Sequence, residues 1–200
     1  MIDNSELIKS LINFNENNKV FLHCQIVQRN KDFPKKKIKE KAIQSYFIRS
    51  KEHLDRLMPE IKLLCDFYGA RAYISVSYKQ FDDVIRNMLM NISTCLCQRN
   101  DVNPNRILNK AVGEVKPKYW LVDIDTKDQD FQDNIVLWFN TYFGRFDSDN
   151  YWLKAKIPTV QGVHFITKPF NLEEFNKVYP DVMVHKNSMG TLLYMPNICK

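Results

Sequence analysis

Glycine is scarce in this sequence, and no long apolar run occurs in it. Only 5 of the 200 residues are glycine, which excludes a glycine-rich phosphate-binding loop. The longest uninterrupted apolar run, 135–139, is far shorter than the ~20 residues that a membrane-spanning helix requires. The opening residues, MIDNSELIKSL, include acids and lack the apolar core of a secretory or transit peptide. These absences predict a protein that stays in the cytoplasm.

The cysteines do not have the pattern of a disulfide framework. Their number is odd and they are scattered, at Cys24, Cys65, Cys95, Cys97 and Cys199. Cys95 and Cys97 form a C-x-C pair, but no second Cys or His pair stands at zinc-finger spacing. The residues around that pair are apolar at helical intervals. We therefore expect reduced thiols in the core rather than a zinc site.

Basic residues outnumber acidic ones. The 29 Lys and Arg residues against 23 Asp and Glu give a net charge of +6 and a pI near 9.0. This excess favours polyanionic partners without requiring them. The hydrophobic fraction of 44% and the charged fraction of 26% are typical of a globular protein, and they exclude disorder and fibrous structure.

The first half of the chain predicts an α/β module. Helical and alternating patterns indicate helices at 5–14, 51–69 and 80–98, strands at 19–28, 44–48 and 71–79, and a solvated loop at 34–41. Ser50 stands at the N-cap position of the second helix, and Gly69 ends it. The stretch 99–118 is rich in Asn, Pro and Lys and predicts a linker or a long functional loop. We place the boundary between two modules, 1–110 and 111–200, within it.

The second half predicts an antiparallel sheet covered by helices on one face. Strands are expected at 118–125, 154–161, 162–168 and 182–186, with helices at 131–144 and 171–179. A last strand, 191–195, follows the turn NSMG and is expected at the edge of the same sheet. The order β-α-β-β-α-β is that of the RNA-recognition or ferredoxin-like arrangement. We therefore predict an α+β fold whose second sheet has a face open for function.

Asp123 and Asp125 are the first candidate site residues. In a strand, residues two apart point to the same face, so both carboxylates lie on one side, ~6 to 7 Å apart. Like charges at that separation repel each other unless a cation lies between them. Such oxygen ligands suit magnesium or manganese ions in phosphoryl or nucleotidyl transfer. The alternative, which remains open, is a solvated strand end whose acids cap the next helix.

A second group of candidates follows on the neighbouring strands. His164 and Lys168 could hold the phosphates of a nucleotide, while Gly162 would let the backbone approach closely. His164 could equally be a structural histidine. Asp181 lies just before the next strand and is a candidate third carboxylate for a metal ion, or else a turn residue after Pro180.

The sequence LVDIDTKD, with PTVQGVHFITKPF and PDVMVHKNSMGTLLY after it, resembles the catalytic core of the archaeo-eukaryotic primase-polymerase superfamily, in a small form carried by phages. The resemblance covers roughly 118–195. It implies metal-binding and catalytic roles for Asp123 and Asp125, and a nucleotide-phosphate role for His164. It also implies an Mg²⁺- or Mn²⁺-dependent nucleotidyltransferase with nucleoside triphosphates as substrates. Its expected partners are single-stranded DNA or RNA and a replicative helicase, in a bacterium or a phage-infected host cell.

Basic and aromatic residues elsewhere could bind a nucleic-acid strand. They are Arg71, Tyr73, Tyr78, Lys79, Arg49, Lys51 and the lysines 35–37. Each of them alone is more readily explained as solvated surface or core. Two further functions remain open: a non-catalytic single-stranded nucleic-acid-binding protein with a primase-like fold, and a metal-dependent nuclease that uses water as its nucleophile.

Overall fold

The computed structural model of the protein describes residues 1–14, 19–33, 39–144, 152–186 and 190–197. These residues form an α+β fold with six α-helices and two antiparallel sheets. The helices are α1 (Ser5–Leu11), α2 (Lys51–Tyr68), α3 (Phe81–Cys97), α4 (Pro104–Glu114), α5 (Gln129–Phe143) and α6 (Leu172–Val178). The strands are β1 (Ile2–Asp3), β2 (Val20–Gln28), β3 (Lys41–Ile48), β4 (Arg71–Ile74), β5 (Lys79–Gln80), β6 (Trp120–Ile124), β7 (Leu153–Pro158), β8 (Val163–Thr167), β9 (Met183–His185) and β10 (Thr191–Met195).

The first sheet has the strand order β1-β10-β4-β2-β3, and β5 pairs with the start of β2. Helix α2 packs on one face of this sheet. It begins where the sequence predicts, because the Ser50 hydroxyl accepts a hydrogen bond from the His53 N–H at 3.0 Å. It ends at Gly69, whose φ of 58° is left-handed. The strand expected at 71–79 is interrupted, and its two ends form β4 and β5.

The prediction of a linker or long loop at 99–118 is wrong, because this stretch contains helix α4. The side chain of Asn103 caps the helix by accepting from the Arg106 N–H at 3.0 Å, and Pro104 occupies its first turn, where its missing N–H costs no hydrogen bond. Ile107 and Ala111, one helical turn apart, are buried. Ala111 packs in a small core with Phe21 of β2. Helices α3 and α4 thus cover one end of the first sheet on the face opposite α2.

The second sheet has the order β7-β8-β6-β9, with all pairs antiparallel. Helices α5 and α6 cover one of its faces, where Val122 and Phe165 pack in one core with Phe139 of α5. The alternate residues point the other way, and Leu121 and Ile166 pack in the core of the first sheet. The face expected to be open is therefore turned toward the first sheet.

The position expected for the last strand is wrong. Residues 191–195 do form a strand, but β10 lies between β1 and β4 in the first sheet instead of at the edge of the second. Four consecutive residues of β10, from Thr191 to Tyr194, are buried, which suits an interior strand better than an edge. The C-terminal end of the chain therefore completes the sheet that the N-terminal half begins.

Two predicted features lie outside the described residues. Most of the loop expected at 34–41, with the lysines 35–37, is one of them, and residues 187–189 of the NSMG turn are the other. Within the described ranges, no helix combines the length and the apolar character needed to cross a membrane.

Candidate functional site

Asp123 lies on β6 and faces the first sheet. Its strand neighbour across β8 is His164, and across β9 its neighbour is Met183. The Asp123 Oδ1 atom is 3.3 Å from Nε2 of His164, and its Oδ2 atom is 4.0 Å from Nε2 of His185. Three adjacent strands therefore bring one carboxylate and two imidazoles together.

Burial and charge act in opposite directions on Asp123. Its burial alone would raise the pKa of the carboxyl, but the contact with His164 and the proximity of His185 and Lys31 hold that pKa below its usual value. The carboxylate is therefore ionised at neutral pH. Its contact with His164 does not have hydrogen-bond geometry, and Oδ1 is buried without a hydrogen-bond partner among the described residues. Such an oxygen is available to a cation or to a donor on a ligand.

The first sheet holds the His164 ring. The Nδ1 atom of His164 lies 2.9 Å from the Oγ1 atom of Thr191 at the start of β10, and both residues are buried. This contact leaves Nε2 directed at Asp123. The ring position therefore depends on both sheets.

Positively charged residues of the first sheet stand opposite Asp123. Arg71 forms a two-point ion pair with Asp32, in which Nε donates to Oδ2 at 2.8 Å, and both side chains are largely buried. This pair fixes a short 3₁₀ turn, Asn30–Asp32, that carries Lys31. Arg29 donates to the Tyr73 hydroxyl at 2.9 Å. Arg29 also lies 3.8 Å from the carboxylate of Glu40, so the wall facing Asp123 carries three cations and two acids that pair with two of them.

A cavity of about 480 Å³ lies between these two walls. Its volume is within the range of ~300 to 1,000 Å³ that small-molecule sites occupy. Asp123, His164 and His185 line it from the second sheet, and Arg29 and Lys31 line it from the first. Asp125 and Gln161 also line it, at the ends of their strands. The arrangement combines acidic and cationic groups, as a site for a phosphorylated ligand and its counter-ion requires.

The structure brings together some of the residues that the sequence nominates. Asp123, Asp125 and His164 line one cavity. Lys168 does not, because it lies four residues beyond His164, ~13 Å along the strand. Asp181 is exposed two residues before β9 and is also outside the cavity lining.

Gly162 packs closely against the backbone of its own chain. A Cβ atom there would overlap the Ile124 carbonyl oxygen and would lie 2.7 Å from the backbone nitrogen of Thr126. The turn before β8 therefore packs directly against the segment that follows β6, which includes Asp125. The close approach at Gly162 is thus to the backbone of the acidic segment, and Gly162 is not among the residues that line the cavity.

One residue of the predicted nucleic-acid surface, Lys79, is interior instead, whereas Tyr78 is half-buried. Lys79 is buried and donates to the Val115 carbonyl at 3.0 Å, so its assignment to the surface is wrong. The hydroxyl of Tyr78 accepts a hydrogen bond from the Asn13 N–H at 2.6 Å. Arg71 and Tyr73 belong to the cavity wall.

The residues that sequence reasoning left out of the site are His185, Lys31 and Arg29. His185 could have been found, since strand alternation places it on the same face of the sheet as Met183, and Met183 is the cross-strand neighbour of Asp123 on that face. Lys31 and Arg29 could not, because they follow a strand of the other sheet. Among the described residues, no group of three or more His, Cys, Asp or Glu side chains is placed to hold a metal ion.

Comparison with protein-family models, with curated proteins and with solved structures found no match to this chain.

Proposed function

We propose that this protein is a nucleotidyltransferase of the primase-polymerase type. In this proposal, the cavity binds a nucleoside triphosphate, and nucleotides are joined on a single-stranded DNA or RNA template. The observation that carries the proposal is the ionised Asp123 between two histidines, facing Arg29 and Lys31 across the cavity. An anionic centre and a cationic wall on opposite sides of one cavity suit a metal-bound polyphosphate.

The connectivity of the second sheet supports the same proposal. Its elements follow the order β6-α5-β7-β8-α6-β9, and its strands lie in the order β7-β8-β6-β9. A split β-α-β-β-α-β unit with both helices on one face is the RNA-recognition or ferredoxin-like type. The proposed site lies on the face without helices, as the resemblance to the primase-polymerase superfamily implies.

The residues of the cavity suit one Mg²⁺ or Mn²⁺ ion that arrives with the nucleotide. Mg²⁺ is usually held by one or two carboxylates together with substrate phosphates and water, so a complete protein cage is not required. The Oδ1 atom of Asp123, which has no hydrogen-bond partner among the described residues, is a suitable ligand, and Asp125 can supply a second carboxylate. When bound, such an ion would stabilise the charge that develops on the transferring phosphate.

The chain itself supplies orientation and charge. His164, held by Thr191, can donate a hydrogen bond from Nε2 to a phosphate oxygen once the nucleotide competes with Asp123 for it. Lys31 and Arg29 neutralise the outer phosphates from the opposite wall.

A non-catalytic nucleic-acid-binding protein is the second candidate. Among the described residues, the second sheet gives the cavity lining only two carboxylates, Asp123 and Asp125, and this favours it. The other two acids of the lining, Asp32 and Glu40, stand on the opposite wall beside Arg71 and Arg29. In that case the cavity would bind a nucleotide or a strand end without transferring a phosphate.

The test is a double substitution, Asp123→Asn with Asp125→Asn. We expect the wild type to gain thermal stability with manganese and to incorporate nucleotides on a single-stranded template. The double variant should stay folded and lose at least about a thousandfold in incorporation, which corresponds to ~4 kcal/mol. Asp101→Asn with Glu173→Gln, two exposed acids outside the cavity, is the control of equal charge change.

The outcomes separate the candidates. If the wild type binds oligonucleotides but shows neither manganese stabilisation nor incorporation on any template, the binding protein is the correct function. If manganese instead supports strand cleavage, the chain is a nuclease. Unfolding of the double variant would mean that the two acids are structural.

A further inference from the structure

Three depressions lie next to one another near the start of α2. The first includes Arg56 and shares Arg49 and Ser50 with the second. The second shares Asn13 with the third, a small cavity of about 150 Å³ whose lining is largely apolar and includes Lys118 and Lys154. We name the three depressions together the basic groove.

Positive charge dominates the basic groove. Six cationic residues line it: Lys19, Arg49, Lys51, Arg56, Lys118 and Lys154. Only two acids do so, Glu52 and Asp82. All six cations are exposed, and none of them makes an ion pair with a residue that the structure describes. The groove therefore presents a row of unneutralised charge.

Aromatic rings lie beside two of these cations. The Arg49 guanidinium lies 5.0 Å from the centroid of the Phe81 ring, and the Lys118 ammonium lies 5.7 Å from that of Tyr119. Between them, Phe14 and Tyr78 pack edge to face at 5.1 Å. All four rings are half-buried, so each keeps an accessible portion. Cations and accessible rings on one surface suit a flexible polyanion whose units carry flat rings.

The third depression lies near the candidate active site. Thr191 lines it, and the hydroxyl of Thr191 is the group that contacts His164, which lines the cavity. The buried Thr191 side chain therefore stands between one end of the basic groove and the cavity.

We propose that a single-stranded nucleic acid lies in the basic groove, with its phosphates on the six cations and its bases against the rings of Phe14, Phe81 and Tyr119. This inference rests on the proposed function, since it identifies the path of the template toward the cavity. Single-strand grooves of this kind contact ~4 to 16 nucleotides. Duplex DNA is excluded as the preferred partner, because its stacked bases cannot reach the rings.

The experiment compares two triple variants of equal charge. Arg49→Gln, Lys51→Gln and Lys118→Gln neutralise the groove, whereas Arg106→Gln, Lys110→Gln and Lys177→Gln neutralise exposed cations elsewhere. Binding of a labelled oligo-dT of about 20 nucleotides is measured by fluorescence anisotropy between about 50 and about 300 mM salt. We expect the groove variant to lose at least tenfold in affinity at ~50 mM salt, and its slope of log K against log salt to become shallower by ~2. The control variant should change affinity less than about threefold.

A second measurement locates the strand directly. An oligonucleotide carrying 5-iodouracil should crosslink to the wild type at Phe14, Tyr78, Phe81 or Tyr119. Three results would each overturn the proposed path of the strand. They are equal losses of affinity in the two triple variants, crosslinks confined to other residues, and equal competition by duplex DNA. Absence of any oligonucleotide binding would overturn it as well. The Asp123→Asn, Asp125→Asn variant separates this proposal from the catalytic one, because it should bind the oligonucleotide like the wild type.

Discussion

The Nδ1 atom of His164 lies 2.9 Å from the Oγ1 atom of Thr191, although the two residues belong to different sheets. Thr191 begins the last strand of the chain, which is an interior strand of the first sheet. The orientation of the histidine beside Asp123 is therefore set only when the C-terminal strand has joined the N-terminal sheet. The two halves of the chain share one site as well as one core.

The hydroxyl of Thr191 acts as a positioning group. Thr191→Val removes it with little change in shape, and we expect about a tenfold loss in kcat/KM for nucleotide incorporation, since the His164 ring loses its fixed orientation. The free energy of unfolding should fall by only ~1 kcal/mol. Nitrogen NMR shifts of the His164 ring should change, and Thr191→Ser should restore both the shifts and the activity. Equal behaviour of the Val and Ser variants would show that the hydroxyl has no such role.

Replacing Gly162 and Gly113 by alanine should change the free energy of unfolding in opposite directions. At Gly162 an added Cβ overlaps the Ile124 carbonyl, so Gly162→Ala should lower the free energy of unfolding by ~1 to 3 kcal/mol. Gly113, within α4, has nothing within 4 Å of an added Cβ, and alanine there should add ~0.5 to 1 kcal/mol. Chemical denaturation measures both. If Gly162→Ala left the free energy of unfolding unchanged, this would contradict the close packing of this turn against the acidic segment.

Local patterns identify much of this fold. The helix after Ser50 and the strands around Asp123 and His164 follow directly from periodicity and capping, because those signals depend on neighbours in the sequence. Helix α4 was missed because its Asn, Pro and Lys content resembles a loop, although Ile107 and Ala111 have helical spacing. There the burial of one face outweighs the composition.

Long-range pairing is what the sequence does not show. The pattern TLLYM predicts a strand but not its partner, and β10 pairs with a strand more than a hundred residues earlier. For the same reason, Asp123, Asp125 and His164 can be nominated from two neighbouring strands, whereas Lys31 and Arg29 cannot. When a site lies between two sheets, local sequence patterns identify the residues of one sheet but do not show which residues of the other sheet face them.

The position of β10 leads to a prediction about fragments. Leu192 and Leu193 are almost fully buried, and each contributes ~2 kcal/mol of hydrophobic stabilisation. Without β10, strands β1 and β4 have no common partner, so a fragment 1–110 and a chain that ends at residue 186 should both fail to fold cooperatively. Circular dichroism melts of these fragments provide the measurement. A sharp transition in fragment 1–110 would show that the first sheet is stable without its last strand.

His23 should make the protein sensitive to mild acid. Its ring is buried, Nε2 has no hydrogen-bond partner among the described residues, and burial together with the charge of Lys79 lowers its pKa from 6.5 to about 4. The fold disfavours the protonated ring, so neutral His23 contributes to the free energy of unfolding. That contribution is complete above pH 6.5 and is lost as the pH falls toward 4, by roughly 3 kcal/mol in total. Unfolding free energies measured across this range should decrease for the wild type and stay nearly level for His23→Phe, which keeps a ring against Phe47. His53→Gln is the control, since His53 is more exposed and should leave most of the decrease in place. An unchanged slope in His23→Phe would assign the acid sensitivity to other groups.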